Sequence, residues 1–437
     1  TIGPHNYSVN IDNKSFCVYA WTHMMVTASG KPVRGEYWPC CNWTPHADKI
    51  LTGKKFDVKN STIQNFWQSD EMNQIRSLML DGKPVAGCQA CYDEERNGTA
   101  SLRQQENNGW SRHKDLPNIQ NTIEQWQETG TCPEPVSIDI NFSSLCNLKC
   151  RMCFSGLSSE LAKEQWSIIQ KEGWDVNHEL MRFQKDDLEI IDHGKNNQLM
   201  NELYDQFKDI KRIYLKGGEP TLLQSMYDYL NYPVDQGQAD QIQIKFNTNM
   251  TNVQKRFVQL MDRFKKVDLT MSIDGVGAVQ EYIRAPSKWT AIDKNITYFI
   301  ENNHKADLMV SPCWQIYNLF YIKEHLEYFD QLNKRRKVEV TPILLDFPMH
   351  YRIDTLPLAV RKQAIDKVKE CFTLDISKQP TLYKKLYTLL KMLQDTKENV
   401  EKHMNQFVQV TKLYDRHRSQ SIENSLPLLY KHVKKYF

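Results

Sequence analysis

The sequence predicts an α/β protein: a partial (β/α)6 barrel with a cysteine-rich region before it and a helical region after it. Three observations lead there. Short β-like runs recur at 136–142, 212–215, 241–247, 267–273, 308–314 and 338–344. Most are separated by stretches with helical spacing, the pattern of parallel β/α units. Polar and apolar residues also alternate within the runs, so each strand has two unlike faces. Ser137, Asp139 and Asn141 oppose Val136, Ile138 and Ile140, and Thr270, Ser272 and Asp274 oppose Leu269, Met271 and Ile273. Ser311, Cys313 and Gln315 likewise oppose Val310, Pro312 and Trp314. Apolar faces are expected against outer helices and polar faces inside. A closed barrel fills its interior with Val, Ile and Leu, so a polar interior implies an open barrel that holds a ligand. The alternative is a half-exposed antiparallel sheet with one wet face.

Composition narrows the class. The chain has 437 residues, 40% hydrophobic and 25% charged, with a formal net charge of +3. This is a globular composition of near-balanced charge, too long for one typical domain. No apolar run reaches the 18 residues of a membrane span. Residues 1–16 are polar and lack the apolar core of a signal peptide. Eleven cysteines are present, nine of them within the first 153 residues. An odd count in a large chain, with tight local spacings, is unlike a secreted disulfide framework. A reducing, cytoplasmic compartment is the expectation.

Residues 1–130 are rich in Trp, Asn and Gly and suggest short elements, with a helix near 63–80 and polar loops such as 97–108. Residues 131–350 form the expected barrel. Its first connection, near 155–211, is long enough for a helical insertion, with amphipathic stretches at 158–172 and 187–207. Residues 351–437 show helical periodicity at 356–372, 382–393 and 398–414. From residue 384 onward there are 11 Lys/Arg against 5 Asp/Glu, a net of +6. Such a tail is either a solvated face or an attractor of acidic partners.

The sharpest motif follows the first predicted strand: Cys146-Asn-Leu-Lys-Cys150-Arg-Met-Cys153. Three thiolates on one loop can hold three irons of a [4Fe–4S] cluster and leave the fourth open to a chelating molecule. Structural zinc takes four closed ligands and different spacings.

With this motif the chain resembles the radical S-adenosylmethionine enzymes, over roughly residues 136–345. Gly217-Gly218-Glu219-Pro220 ends the second strand as the family's GGEP segment does. The resemblance implies that Gly217, Gly218 and Glu219 bind the amino group of S-adenosylmethionine. Asn247-Thr248-Asn249 stands where the family often has a Thr-Asn-Gly turn, and Ser272-Ile273-Asp274-Gly275 where peptide-modifying members have the same tetrad. It implies that Asn247 contacts the cofactor, that Ser272 and Asp274 reach its ribose or carboxylate, and that Arg284 meets the carboxylate. Met152 replaces the aromatic residue usual before the third cysteine; its thioether can pack on a purine. Reductive cleavage of S-adenosylmethionine to a 5′-deoxyadenosyl radical, followed by hydrogen abstraction, is the implied chemistry.

A second group comprises Cys17, Cys40, Cys41, Cys88 and Cys91, with a G-x4-C from Gly35 to Cys40 and a CxxC at Cys88–Cys91. It resembles the SPASM or twitch modules that carry an auxiliary [4Fe–4S] cluster, although those usually follow the barrel. The implied ligands are Cys17, Cys40, Cys88 and Cys91, with Cys41 the alternative to Cys40. A zinc ribbon is the competing reading of the CxxC. Cys313, on the expected inner face of the fifth strand, is a candidate hydrogen donor to a substrate radical or a small buried residue. Cys371 reads as packing; Cys132, before Pro133 in a linker, reads as packing or as a further ligand.

The resemblance implies an oxidative peptide or protein modification, a crosslink or dehydrogenation, served by a one-electron donor such as flavodoxin or ferredoxin. The alternatives are radical modification of a small molecule or nucleic acid, and an iron–sulfur protein that only transfers electrons. No membrane partner is expected.

Overall fold

The computed structural model describes residues 13–28, 35–45, 47–48, 50–51, 56–96, 98, 100–110, 116–395 and 400–437. The start of the polar segment 1–16, parts of the loop 97–108 and the first residues of the stretch 398–414 lie outside them.

The fold is mixed α/β. Ten strands occur among the described residues: β1 (His23–Val26), β2 (Tyr37–Trp38), β3 (Ser137–Asn141), β4 (Arg212–Lys216), β5 (Gln243–Thr248), β6 (Lys266–Met271), β7 (Asp307–Val310), β8 (Cys313–Trp314), β9 (Val338–Val340) and β10 (Ile343–Leu344). Eight form a sheet in the order β2-β1-β3-β4-β5-β6-β7-β9, and β10 and β8 form a two-stranded sheet. The pairs β1–β3, β3–β4, β6–β7 and β7–β9 are parallel, and β1–β2 is antiparallel. The first four sequence-predicted strands are β3, β4, β5 and β6. The fifth and sixth runs each break in two. Pro312 and Pro342 cause the breaks: neither has an N–H for the ladder. The chain stays extended past each proline, with Ile343 N–H donating to Pro312 O at 2.9 Å, so β8 and β10 pair with each other instead.

The strand faces match the alternation. Leu269, Met271 and Ile273 are buried, as are Ile213, Leu215, Ile244 and Phe246. Each such side chain removed from water stabilises the fold by about 1.5–3 kcal/mol. The opposite face of β3 is buried too, although it carries Ser137, Asp139 and Asn141. Buried polar groups must be paired to be tolerated, and the pairing on these faces defines the sites below.

Contacts divide the chain into two compact units. The first spans Thr1–Ser144, Ile191–Gly217 and Leu223–Lys245; the second spans Leu145–Ile190, Gly218–Leu222 and Phe246–Phe437. In the first unit, β1 and β2 come from a region whose sequence shows no strand period. The helix expected near 63–80 is two helices, Ile63–Trp67 and Asp70–Leu80. Ser69 makes the division, since its side chain accepts from Met72 N–H and starts the second helix as an N-cap.

The second unit carries the helices Ser159–Glu172, Trp289–Asn302, Ile322–Arg335, Leu358–Glu370, Pro380–Gln394 and Val400–Arg418. Ser158 caps the first by accepting from Leu161 N–H at 3.2 Å, and Gly173 ends it at φ 67°. Arg416 and Arg418 of the basic tail pair with Glu172 and Glu164 at 2.7 and 2.5 Å, so part of its charge is neutralised internally. No helix among the described residues is long and apolar enough to cross a membrane.

Candidate cofactor site

The loop after β3 is held from below by its neighbours in the second unit. Lys149 N–H donates to Ala285 O at 2.7 Å and Arg151 N–H to Ile283 O at 2.9 Å. Ser158 Oγ donates to Leu148 O at 2.6 Å, and Cys146 N–H to Ser159 Oγ at 3.2 Å. The start of a helix thereby satisfies loop groups that would otherwise be orphaned. Arg151, between the second and third cysteines, is buried. Its guanidinium stacks 3.8 Å from the Tyr282 ring and meets Asp415 at 2.6 Å. The motif's one buried arginine was the signal that this loop is anchored, and sequence reasoning passed over it.

Cys146 and Cys150 are buried beside Leu148, with Met152 and Cys153 packed against them. Burial raises the Cys146 thiol, and Cys150 and Cys153 push it the same way. Burial also raises Cys153, with Arg182 and Arg284 pulling it back. The three thiols therefore lie within range of one another's charge. Arg284 Nη1 donates toward Cys150 Sγ at 3.8 Å, while Arg284 Nε donates to Asp274 Oδ2 at 2.7 Å. Burial and then Arg284 act in opposite senses on Cys150.

Asp274 is 1% exposed. Its second oxygen accepts Cys313 N–H at 2.8 Å, its own N–H donates to Gln280 Oε1 at 2.8 Å, and its carbonyl accepts from Asn318 Nδ2 at 3.0 Å. Gln280 and Asn318 carry no motif signal and were not foreseen. Here the Asp274 carboxylate braces Arg284 and the start of β8. Cys313 is half-buried, and its thiol is raised first by burial, then by Asp274, with Arg284 opposing and Cys150 and Cys153 adding to the rise. The structure thus brings Cys313 into the surroundings of the cysteine loop.

Glu219 has a similar role. Its carboxylate is buried and accepts from Thr221 Oγ1 at 2.7 Å, Thr248 Oγ1 at 2.9 Å and Asn249 N–H at 2.6 Å. Burial raises its acid form's stability while these bonds oppose the rise. The Glu219 side chain ties the GGEP segment to the end of β5. Asn249 Nδ2 then donates to Asn147 Oδ1 at 3.1 Å, linking that end to the cysteine loop. Ser272 is half-buried and held by Thr248 O, to which its N–H donates at 2.9 Å. Asn247 is half-buried on the same strand as Thr248. Gly218 has φ 55°.

Gly217, in the first unit, has φ 84°, and a Cβ there would lie 2.8 Å from Asn141 Cβ and 2.9 Å from Asn141 Cα. Only glycine accepts both the left-handed backbone and that approach.

The second cysteine group also lies in the first unit. Cys40 is raised by burial and then by Cys41, Cys88, Cys17 and Cys91. Cys88 is raised by burial, then by Cys17 and Cys91. Cys41 is raised by burial too, but its next influences are Lys216 and Asp139. The chain turns here, Trp43 N–H donating to Cys40 O at 3.2 Å, and the two adjacent thiols have different neighbours: Cys40 the other cysteines, Cys41 first Lys216 and Asp139. Among the described residues, no group of three or more His, Cys, Asp or Glu side chains closes on a single metal ion. Cys132 and Cys371 are buried, their thiols donating toward Trp21 O and Lys367 O, as packing residues.

No protein-family model and no curated protein matches the chain. Among solved structures, it is similar to native anSMEcpe with bound AdoMet, at 16% identity over 55% of this chain and 60% of that one, with a TM-score of 0.38. It is also similar to Streptococcus suis SuiB bound to precursor peptide SuiA, at 16% identity over 69% of this chain and 59% of that one, with a TM-score of 0.34. The chain spans about three fifths of the length of the first structures it matches.

Proposed function

We propose that the chain is a radical S-adenosylmethionine enzyme. The observation that carries this reading is the second unit's cysteine loop: the buried Cys146 and Cys150 and the half-buried Cys153 in mutual range, with the Arg284 guanidinium against Cys150. The donor set fits the group. Three soft sulfur ligands suit an iron–sulfur cluster, and the arginine offsets the negative charge that deprotonated thiols bring. Bound there, such a cluster would supply one electron for cleavage of the C–S bond of S-adenosylmethionine. Cys146, Cys150 and Cys153 would hold it. Gly218 leaves backbone open to the amino group, and Met152 packs beside the thiols. Ser272, Asn247 and Arg284 present polar groups for the ribose and carboxylate, while Glu219 and Asp274 hold the segments in place.

Cys17, Cys40, Cys88 and Cys91 are proposed as ligands of an auxiliary cluster. Four thiols that act on one another, all of them soft sulfur donors, support this reading. A peptide oxidation with a flavodoxin-like or ferredoxin-like electron donor is the net reaction this supports. Cys313 is proposed as a hydrogen donor, from its place beside Arg284.

The test is spectroscopic. The anaerobically reconstituted, reduced protein should show a paramagnetic [4Fe–4S] signal that changes shape when S-adenosylmethionine binds the open iron. A signal indifferent to S-adenosylmethionine would leave only an electron carrier.

A further inference from the structure

One short segment of the second unit gathers an exposed apolar surface. Among the described residues seven large apolar side chains stand exposed, and three of them, Ile343, Phe347 and Met349, fall within residues 343–349. Scattered single apolar residues need no explanation, whereas a local group of them marks a binding surface.

The segment begins on an open sheet edge. β10 is bonded to β8 along one side: Ile343 N–H donates to Pro312 O at 2.9 Å and Leu345 N–H to Trp314 O at 3.0 Å. Alternate residues of a parallel strand face opposite edges. The Leu344 N–H and C=O therefore point away from β8, and no strand among the described residues pairs with them. Such an edge accepts one kind of partner, another extended backbone. Register sets Ile343 beside Cys313, with both side chains on one face.

A cation completes the surface. The Arg182 guanidinium lies 4.4 Å from the centre of the Phe347 ring and 5.2 Å from that of Phe154. Its Nη1 donates to Met152 O at 3.3 Å, next to Cys153. Arg182 has no ion pair among the described residues. Nearby carboxylates are engaged elsewhere. Arg352 takes both Asp346 and Asp354 at 2.7 Å, and Asp187 accepts from Ser155 Oγ at 2.5 Å and Gln184 N–H at 2.9 Å. A guanidinium held against two rings, with most of its N–H donors unused, is a ready seat for a carboxylate.

Open backbone groups, an apolar lip and an unpaired cation thus stand together, beside Cys313 and the cysteine loop. We infer that this surface docks the substrate as an extended peptide. Its backbone pairs with Leu344, its apolar side chains lie on Ile343, Phe347 and Met349, and an acidic residue meets Arg182. The inference rests on the radical reading above and names the substrate class for it: a peptide with an acidic residue set among apolar ones.

Fluorescence anisotropy on the anaerobic, cluster-loaded protein tests it with three dye-labelled probes. They are Thr-Val-Glu-Val-Phe-Val-Thr, the same peptide with Gln for Glu, and the Glu peptide N-methylated at alternate amides. Wild type should bind the first roughly tenfold more tightly than either of the others, as one lost charge-assisted or backbone contact gives. Arg182→Gln should remove the preference for Glu and keep the N-methyl penalty. Ile343→Ser, at an exposed position, should weaken all three probes and keep the preference. Equal binding of the Glu and Gln peptides, tolerance of N-methylation, or unchanged affinity in Ile343→Ser overturns the inference. So does a dimer that Ile343→Ser dissociates, since a second copy would then cover the lip. The Ile343→Ser and N-methyl comparisons leave Arg182 intact, so they decide even where Arg182→Gln fails to fold. Formation of 5′-deoxyadenosine by wild type without peptide tests the radical reading separately. Its absence overturns that reading, and the titrations still decide the docking.

Discussion

Arg284 and Asp274 form an ion pair at 2.7 Å whose side chains are 12% and 0% exposed. Through this pair the end of β6 and the start of β8 are joined to the cysteine loop, because the same guanidinium reaches Cys150 at 3.8 Å. A buried pair is a weak source of stability when intact but costly to break from one side.

Arg284→Met should therefore destabilise the protein by about 3–5 kcal/mol, as expected for a carboxylate left buried without its cation. Arg284→Met with Asp274→Asn should recover part of that loss. Urea unfolding midpoints of the two variants check the order.

Gly217→Ala meets both a left-handed backbone and the wall of Asn141, whereas Gly237 has φ 68° and open space. Gly237→Ala should cost about 1–2 kcal/mol from backbone conformation alone. Gly217→Ala should cost more, the excess measuring the close approach. Thermal melts of both variants give the comparison.

The strand–helix alternation, the cysteine loop and GGEP were legible because each is local. A run of β-branched and aromatic residues, a three-cysteine spacing and a pair of glycines show in adjacent letters. The side-chain roles of Glu219 and Asp274 were not, since the partners Thr248, Cys313 and Asn318 lie far along the chain. The strands β1 and β2 were missed because His23–Val26 is only four residues long and buried throughout, so it shows no alternation. The proline breaks at Pro312 and Pro342 were visible in the sequence and under-read.

Cys40 and Cys41 separate the auxiliary ligand set. Reconstituted wild type should carry roughly eight irons per chain, as two four-iron clusters require. Cys40→Ala should bring this toward about four, and Cys41→Ala should leave it near the wild-type value. Iron and sulfide analysis decides; equal losses in both variants would remove the assignment.

His325 contributes to the pH dependence, together with His23 and His350, whose imidazoles burial also lowers. Burial lowers the His325 imidazole from the ordinary 6.5 to about 4. Between these values the unfolded chain binds a proton that the folded chain does not, so stability is intact above pH 6.5 and falls as pH drops toward 4. The slope approaches about 1.4 kcal/mol per pH unit for one such group. His325→Leu should reduce the slope between pH 7 and 5 in melting experiments, leaving the part that His23 and His350 carry. An unchanged slope would show that other groups govern acid stability.

The most direct measurement is product release. The reconstituted protein, reduced anaerobically with dithionite and given S-adenosylmethionine, should form 5′-deoxyadenosine, and Cys150→Ala should abolish it. No 5′-deoxyadenosine from wild type with a full complement of iron would contradict the central claim.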